Sequence, residues 1–200
     1  DDNLGQTTRL CEIVLPTIGV ITNIGPDHLE FFGTMEVSAQ AKAEMLDLLP
    51  SDGVAILNAD DSYYDYLAAR ARCRVVSFGF SSKADVRAMS LKSDGRNGTI
   101  FRLLLPGTVR HAAVHIRVQG DHNVTNALAA GAVGSILGLS GGVIAQGLSR
   151  FRPAAMLSQV RVSQGVKLII DCYNANPASM KAAVQLLAQT GAKRKRIAVL

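Results

Sequence analysis

"ITNIGPDHLEFFGTMEVSAQAKAEM", Ile21 to Met45, changes character in its middle. It begins as a β-branched apolar run, breaks at Gly25-Pro26, and sets Asp27, His28 and Glu30 close together. After that, Met35, Val37, Ala41, Met45 and Leu48-Leu49 recur at roughly helical spacing, with no breaker until Pro50. Continuous apolar residues bounded by Gly and Pro read as a strand buried on both faces. The second half reads as an amphipathic helix. Strand, polar loop, helix is the first half of a βαβ unit.

The same alternation continues outward. "EIVLPTIGVITNIG" holds two apolar runs on either side of Pro16-Thr17, both expected as strands. "GVAILNADD" reads as a strand, "DSYYDYLAARA" as a helix and "CRVVSFGF" as a strand. Strands alternating with helices imply a parallel sheet with helices on its faces. From Ala84 the pattern alternates residue by residue, with turn signals at Asp94-Gly95, Asn97-Gly98 and Pro106-Gly107, so antiparallel strands are expected. "GDHNVTNALAAGAVGSILGL" reads as an Ala-rich helix with Asp121 or Asn123 near its start, and "GGVIAQGLSRF" as a shorter helix. Arg150 to Pro153 reads as a linker. The remainder reads as a hairpin, a strand, a loop, a helix and a strand at "RIAVL". The expected division is 1–150 for a first α/β domain and 151–200 for the start of a second. Both ends, "DDNLGQTTRL" and "RIAVL", read as cut, which suggests a piece of something longer.

Bulk properties narrow the function classes. Of the 200 residues, 48% are apolar, enough for a substantial core. The formal charge is +5, but the basic residues are scattered apart from the run at Lys193 to Arg196. No aromatic residue lies in or beside that run, which argues against a nucleic-acid surface and leaves room for an anionic small molecule. Cys11, Cys73 and Cys172 are far apart and form no zinc spacing, so free thiols in a reducing, cytoplasmic setting are expected. No apolar run is long enough to span a bilayer.

Three clusters carry chemically useful residues. Asp27, His28 and Glu30 follow the strand "GVITNI", and open α/β sheets bind ligands outside the carboxyl ends of their strands. A histidine beside carboxylates there can hold a divalent metal, or the group can simply cap the next element. Lys42 stands fourteen residues after His28 among small neighbours in "SAQAKAEM". A lysine on a helix is ordinarily a solvated charge. Small neighbours also let another group approach, and a lysine amine can take up carbon dioxide as a carbamate, which offers oxygen to a hard cation such as Mg²⁺. In "GDHNVTNALAA", His122, Asn123 and Asn126 gather at a helix start, with the two amides three apart on one face. An amide offers the donor and acceptor that an adenine edge needs, while Asp121 or Asn123 can cap the helix. In "IIDCYNANPAS", Asp171 ends a strand, Asn174, Asn176 and Ser179 fill a turn, and Pro177 starts a helix. Asp171 can accept from ribose hydroxyls or belong to an Asx turn.

Taken together, these segments resemble the Mur ligase family, the ATP-dependent amide-forming enzymes of peptidoglycan synthesis. "TNIGPDHLEFFGTMEVSAQAKAEM" is similar to the central-domain signature, and "GDHNVTNALAA" to the adenine-side motif. "DCYNANPASM" is similar to the Asp-Ser-Tyr-Asn-Ala-Asn-Pro motif of the type that adds D-alanyl-D-alanine (MurF type). The resemblance implies a central ATPase domain of parallel strands with an antiparallel sub-sheet, followed by the start of a Rossmann-like domain. It implies that His28 and a carbamylated Lys42 hold Mg²⁺. It places ATP against His122, Asn123 and Asn126, with Asp171, Tyr173, Asn174 and Asn176 at the ribose and phosphates. The implied substrates are UDP-N-acetylmuramoyl-tripeptide and D-alanyl-D-alanine, handled by a cytoplasmic monomer with no nucleic-acid or membrane partner. Related readings are another Mur ligase, a folylpolyglutamate-type synthetase, or a nucleotide-binding homologue with impaired chemistry. Three features depart from the family pattern. No Gly-Lys-Thr or Gly-Lys-Ser loop is present, and the upstream metal-binding Glu is unmatched in "DDNLGQ". "PAAML" puts Leu157 where an Arg is expected, so that either Arg152 or Arg161 substitutes or the site is impaired, and Cys172 stands for a Ser.

Overall fold

The computed structural model describes residues 3–26, 32–94, 98–108, 111–153, 159–173, 177–189 and 195–199. A six-stranded sheet runs in sequence order from β1 (Ile18–Ile21) through β2 (Val54–Asn58), β3 (Arg74–Gly79), β4 (Val86–Ser93) and β5 (Thr99–Leu104) to β6 (Ala112–Ile116). The pairs β1–β2, β2–β3 and β3–β4 are parallel. The pairs β4–β5 and β5–β6 are antiparallel. The antiparallel strands expected from the sequence thus continue the same sheet. The joint between the two halves is narrow: β3 meets β4 only at Phe78 with Val86 and Gly79 with Arg87.

β2 explains the layering. All five of its residues are buried, and alternate side chains face opposite ways. Val54 and Ile56 join Val76, Phe78, Phe101, Leu103 and Leu128 in the larger core. Ala55 and Leu57 join Ile21, Ala43, Leu46 and Leu67 on the other face. A strand buried on both faces has no polar alternation, which is why it reads as an unbroken apolar run.

Helix α2 (Met35–Leu48) covers the second face. Thr34 caps it by accepting from the Val37 amide, and Leu49 leaves it in an extended conformation just before Pro50. Its buried stripe is Ser38, Ala39, Ala41, Ala43 and Leu46, small enough to let the helix lie close to the sheet. Gly19 on β1 belongs to this fit: a Cβ there would stand 2.8 Å from the Met45 Cε. α3 (Tyr64–Arg70) follows β2 on the same side. On the other face, α4 (Asp121–Ile136) packs across β2, β3 and β4, and α5 (Gly141–Arg150) packs on β6 and α4.

Two expectations need correction. "EIVL" lies in and just beyond α1 (Gln6–Val14), a helix and not a strand. The helix is fixed from a distance: the Glu44 carboxylate accepts from the Gly5 amide at 2.7 Å and from the Thr8 amide and hydroxyl, each at 3.0 Å. An anion at a helix N-terminus satisfies open amides and opposes the positive end of the helix dipole. The "RIAVL" stretch is also not a strand over its described residues, Arg196 to Val199. Beyond α5, the hairpin of β7 (Gln159–Ser163) and β8 (Val166–Ile170) forms a separate two-stranded sheet, followed by α6 (Pro177–Gln189).

Candidate functional site

Two groups of residues gather around the carboxyl edge of the parallel strands and the start of α4. The first is built on α2. Lys42 is half-buried, and its Nζ donates to the Ser38 Oγ at 3.1 Å. Ser38 is fully buried one turn earlier, so the hydroxyl holds the amine from inside the helix–sheet contact. The ammonium also stands 5.7 Å over the Phe32 ring, a cation–π distance, and Phe32 is itself buried. Lys42 is therefore positioned, not waving in solvent. Asp27, His28 and Glu30 lie outside the described residues.

The strand-exit loops around this group are tied together by the turn after β2. Asn58 is buried; its Nδ2 donates to the Thr22 carbonyl at 2.9 Å and its Oδ1 accepts from the Asp60 amide at 3.0 Å. Asp61 accepts from the Ile24 amide and from the Tyr63 amide, both at 2.8 Å. Asp60 accepts from the Phe80 amide at 2.5 Å and the Ser81 amide at 3.0 Å. Sequence reading took "GVAILNADD" only as a strand and missed this. The available signal was Asn and two Asp directly after a buried run, residues whose side chains bond nearby backbone.

The second group starts at α4. The N-cap is Gly120, and no side chain caps the helix, so neither Asp121 nor Asn123 plays that part. Asn123 turns back instead: its Nδ2 donates to the Gln119 carbonyl at 2.8 Å and lies 3.0 Å from the His122 Nε2. Asn126 is exposed one turn along. Asp171, immediately after β8, is near enough to act on His122 electrostatically. The His122 imidazole has its pKa lowered, first by burial, against the opposing pull of Asp171 and then Asp121. His122 and Asp171, far apart in sequence, are thus brought together. Tyr173 is 69% exposed. Asn174 and Asn176 lie outside the described residues, as does Leu157.

A cleft of about 270 Å³ adjoins this group, lined by Gly98, Arg117, Val118, Gln119, Arg152, Pro153, Gln159 and Val160. Arg152 donates from Nη1 to the Ser149, Arg150 and Phe151 carbonyls at the end of α5. Arg161 reaches the Gln159 Oε1 at 3.4 Å. A larger cleft of about 800 Å³ between β6 and α5 contains none of the residues marked by the sequence.

The two groups differ in the chemistry they offer. Amides at 123 and 126, with a carboxylate at 171, have the donors and acceptors to read a base and a ribose. For a divalent metal, the described residues contain no convergent set of three His, Cys, Asp or Glu side chains. Lys42 as an ammonium is a cation, and it becomes an oxygen donor only as a carbamate.

Residues 1–134 match the family model of the Mur ligase middle domain. The chain is 39% identical over 202 residues to the UDP-N-acetylmuramoyl-tripeptide--D-alanyl-D-alanine ligase of Mycobacterium tuberculosis, covering 98% of this chain and 39% of the relative. It is 40% identical over 205 residues to a UDP-N-acetylmuramate--L-alanine ligase of Stenotrophomonas maltophilia, covering 100% of this chain and 41% of the relative. Among solved structures it resembles MurF of Acinetobacter baumannii, with a TM-score of 0.88 at 32% identity over 94% of this chain and 41% of that one. The chain belongs to the Mur ligase family, through the middle domain. It spans about two fifths of the length of these relatives.

Proposed function

We propose that this chain is the nucleotide-handling part of an ATP-dependent ligase that joins D-alanyl-D-alanine to UDP-N-acetylmuramoyl-tripeptide in peptidoglycan synthesis. The observation that carries the reading is the fit to MurF of Acinetobacter baumannii. In the reaction, the carboxylate of the tripeptide attacks the γ-phosphate of ATP, giving an acyl phosphate and ADP. The amine of D-alanyl-D-alanine then attacks the acyl carbon, forming the amide and releasing phosphate. The protein's share is positioning and charge neutralisation. His122, Asn123 and Asn126 would take the adenine, with Asp171, Tyr173, Asn174 and Asn176 at the ribose and phosphates. Mg²⁺ would be held by His28 and by Lys42 as its carbamate. Residues 1–150 would form the central domain and 151–200 the opening of the next. The setting would be cytoplasmic and the chain monomeric. Among the described residues no helix is long and apolar enough to cross a membrane.

A second reading has its own support: ligases that add L-alanine to UDP-N-acetylmuramate match at much the same identity. Replacing the corresponding segment of a MurF with this chain separates the two. Amide formation with the tripeptide and D-alanyl-D-alanine supports the proposal. Turnover of UDP-N-acetylmuramate with L-alanine moves the chain to the second reading, and no ADP release with either pair overturns both.

A further inference from the structure

We propose that the groove between the outer edge of β6 and α5 takes an extended acidic protein segment, which adds to the margin of the six-stranded sheet as a further strand. The inference is independent of the nucleotide group at the start of α4, none of whose residues lines this groove.

β6 stands last in the sheet order, and β5 is its only ladder partner among the described residues. A marginal strand offers a row of backbone donors and acceptors to another chain. Sheets ordinarily guard such a row with proline, lysine or a bulge, and "AAVHI" has none of these. The groove beside it has a volume of about 800 Å³, with small side chains on both walls: Ala112 and Ala113 on β6, Gly142 and Ala145 on α5. Small walls let a second backbone come close.

Register decides what the added strand would meet. Directly paired residues put their side chains on one face of a sheet. Ala113 pairs with Arg102, while His115 pairs with Ile100 and Ile100 with Lys92. That face therefore carries Arg102 and Lys92, both exposed. On the opposite face Val114 and Ile116 are buried in the larger core, against which Ala145 also packs. A strand added to β6 meets cations on one side and apolar atoms on the other. Among the described residues no carboxylate lines the groove, and the neighbouring Asp94 faces the His115 Nε2 at 3.4 Å. The wider field has the same sign: from Arg70 onward lie nineteen of the 21 Lys and Arg residues but only four of the 16 Asp and Glu. The matching occupant alternates acidic and apolar residues. Its backbone bonds supply affinity, and its side chains supply the choice of sequence.

The probe is a capped peptide of about eight residues alternating Glu and Val, with a Lys and Val peptide of the same length as control. Titrated into the 200-residue chain and followed by amide NMR, it should bind saturably with a Kd below about 1 mM. Alternate amides of β6 should exchange about tenfold slower, and the Lys peptide should bind about tenfold more weakly or worse. A Cβ at Gly142 meets no atom within 4 Å, so Gly142→Trp fills the groove without a clash and should weaken binding about tenfold or more. Gly147→Trp is the matched control on the same helix: its Cβ position is equally open, it does not line the groove, and affinity should stay within about twofold. Arg102→Glu should abolish the preference for the Glu peptide. Unchanged binding in Gly142→Trp, or equal affinity for the two peptides, overturns the proposal. Shifted resonances without slower β6 exchange mean a side-chain contact only, and overturn strand addition. Slower β6 exchange at high protein concentration with no peptide present gives the groove to a second copy of this chain and overturns the acidic occupant. If Gly142→Trp does not fold, Gln146→Trp, exposed on the same wall, decides by the same readouts.

Discussion

Lys42 shows how much a single contact changes the meaning of a residue. Its sequence signal, an amine among small side chains, is ambiguous, because solvated lysines look the same. The buried Ser38 hydroxyl and the Phe32 ring remove that ambiguity by fixing the amine in place. Lys42→Met should leave the melting temperature nearly unchanged, because the side chain is only half-buried, yet lower ADP release in the segment-swapped ligase by about a hundredfold or more. A variant that kept full turnover would remove Lys42 from the site. His122 gives a prediction with a definite sign. Its folded pKa lies below its unfolded value, so the unfolded chain binds more protons as pH falls through the ordinary histidine range. Stability should decline as pH drops below about 6.5, and His122→Gln should flatten that decline in urea titrations between about pH 7 and pH 5.

At the scale of elements, legibility followed the number of partners an element needs. β2 and α2 were readable because their patterns record their own burial, continuous in one and periodic in the other. α1 was not readable, because "EIVL" looks the same in a buried strand and in a helix stabilised by the distant Glu44. The Asn58–Asp61 turn was half visible: its residue types announce a turn, but its partners just beyond β1 and β3 are brought near only by the sheet. The proximity of His122 and Asp171 was invisible, since no local pattern reports on a residue in a later sheet. The close fit of α2 on β1 makes a further prediction. Gly19→Ala should cost no more than about 1 kcal/mol in chemical denaturation, because its Cβ meets the flexible end of the partly buried Met45, which can swing aside. Arg70→Ala, which breaks the exposed pair with Asp47, should likewise cost no more than about 1 kcal/mol in the same experiment.

For the whole molecule, the fold class followed from alternation alone, whereas the site needed the chain to return on itself. Asp171 comes from beyond the six-stranded sheet and meets the start of α4, so both parts of the chain contribute to one pole. Asp171→Ala should therefore weaken ATP binding, read by calorimetry, by about tenfold without changing the far-ultraviolet circular dichroism. The narrow joint between β3 and β4 has a mechanical consequence. Strand order follows chain order, so β1 and β6 form opposite margins, and tension applied across them would load the ladders one after another like the teeth of a zipper. The two-residue joint is the shortest row of teeth, reinforced chiefly by α4 lying over it. Under force the molecule should part there first, extending in two steps, and a nucleotide seated at the start of α4 would act as a rivet that raises the first of them.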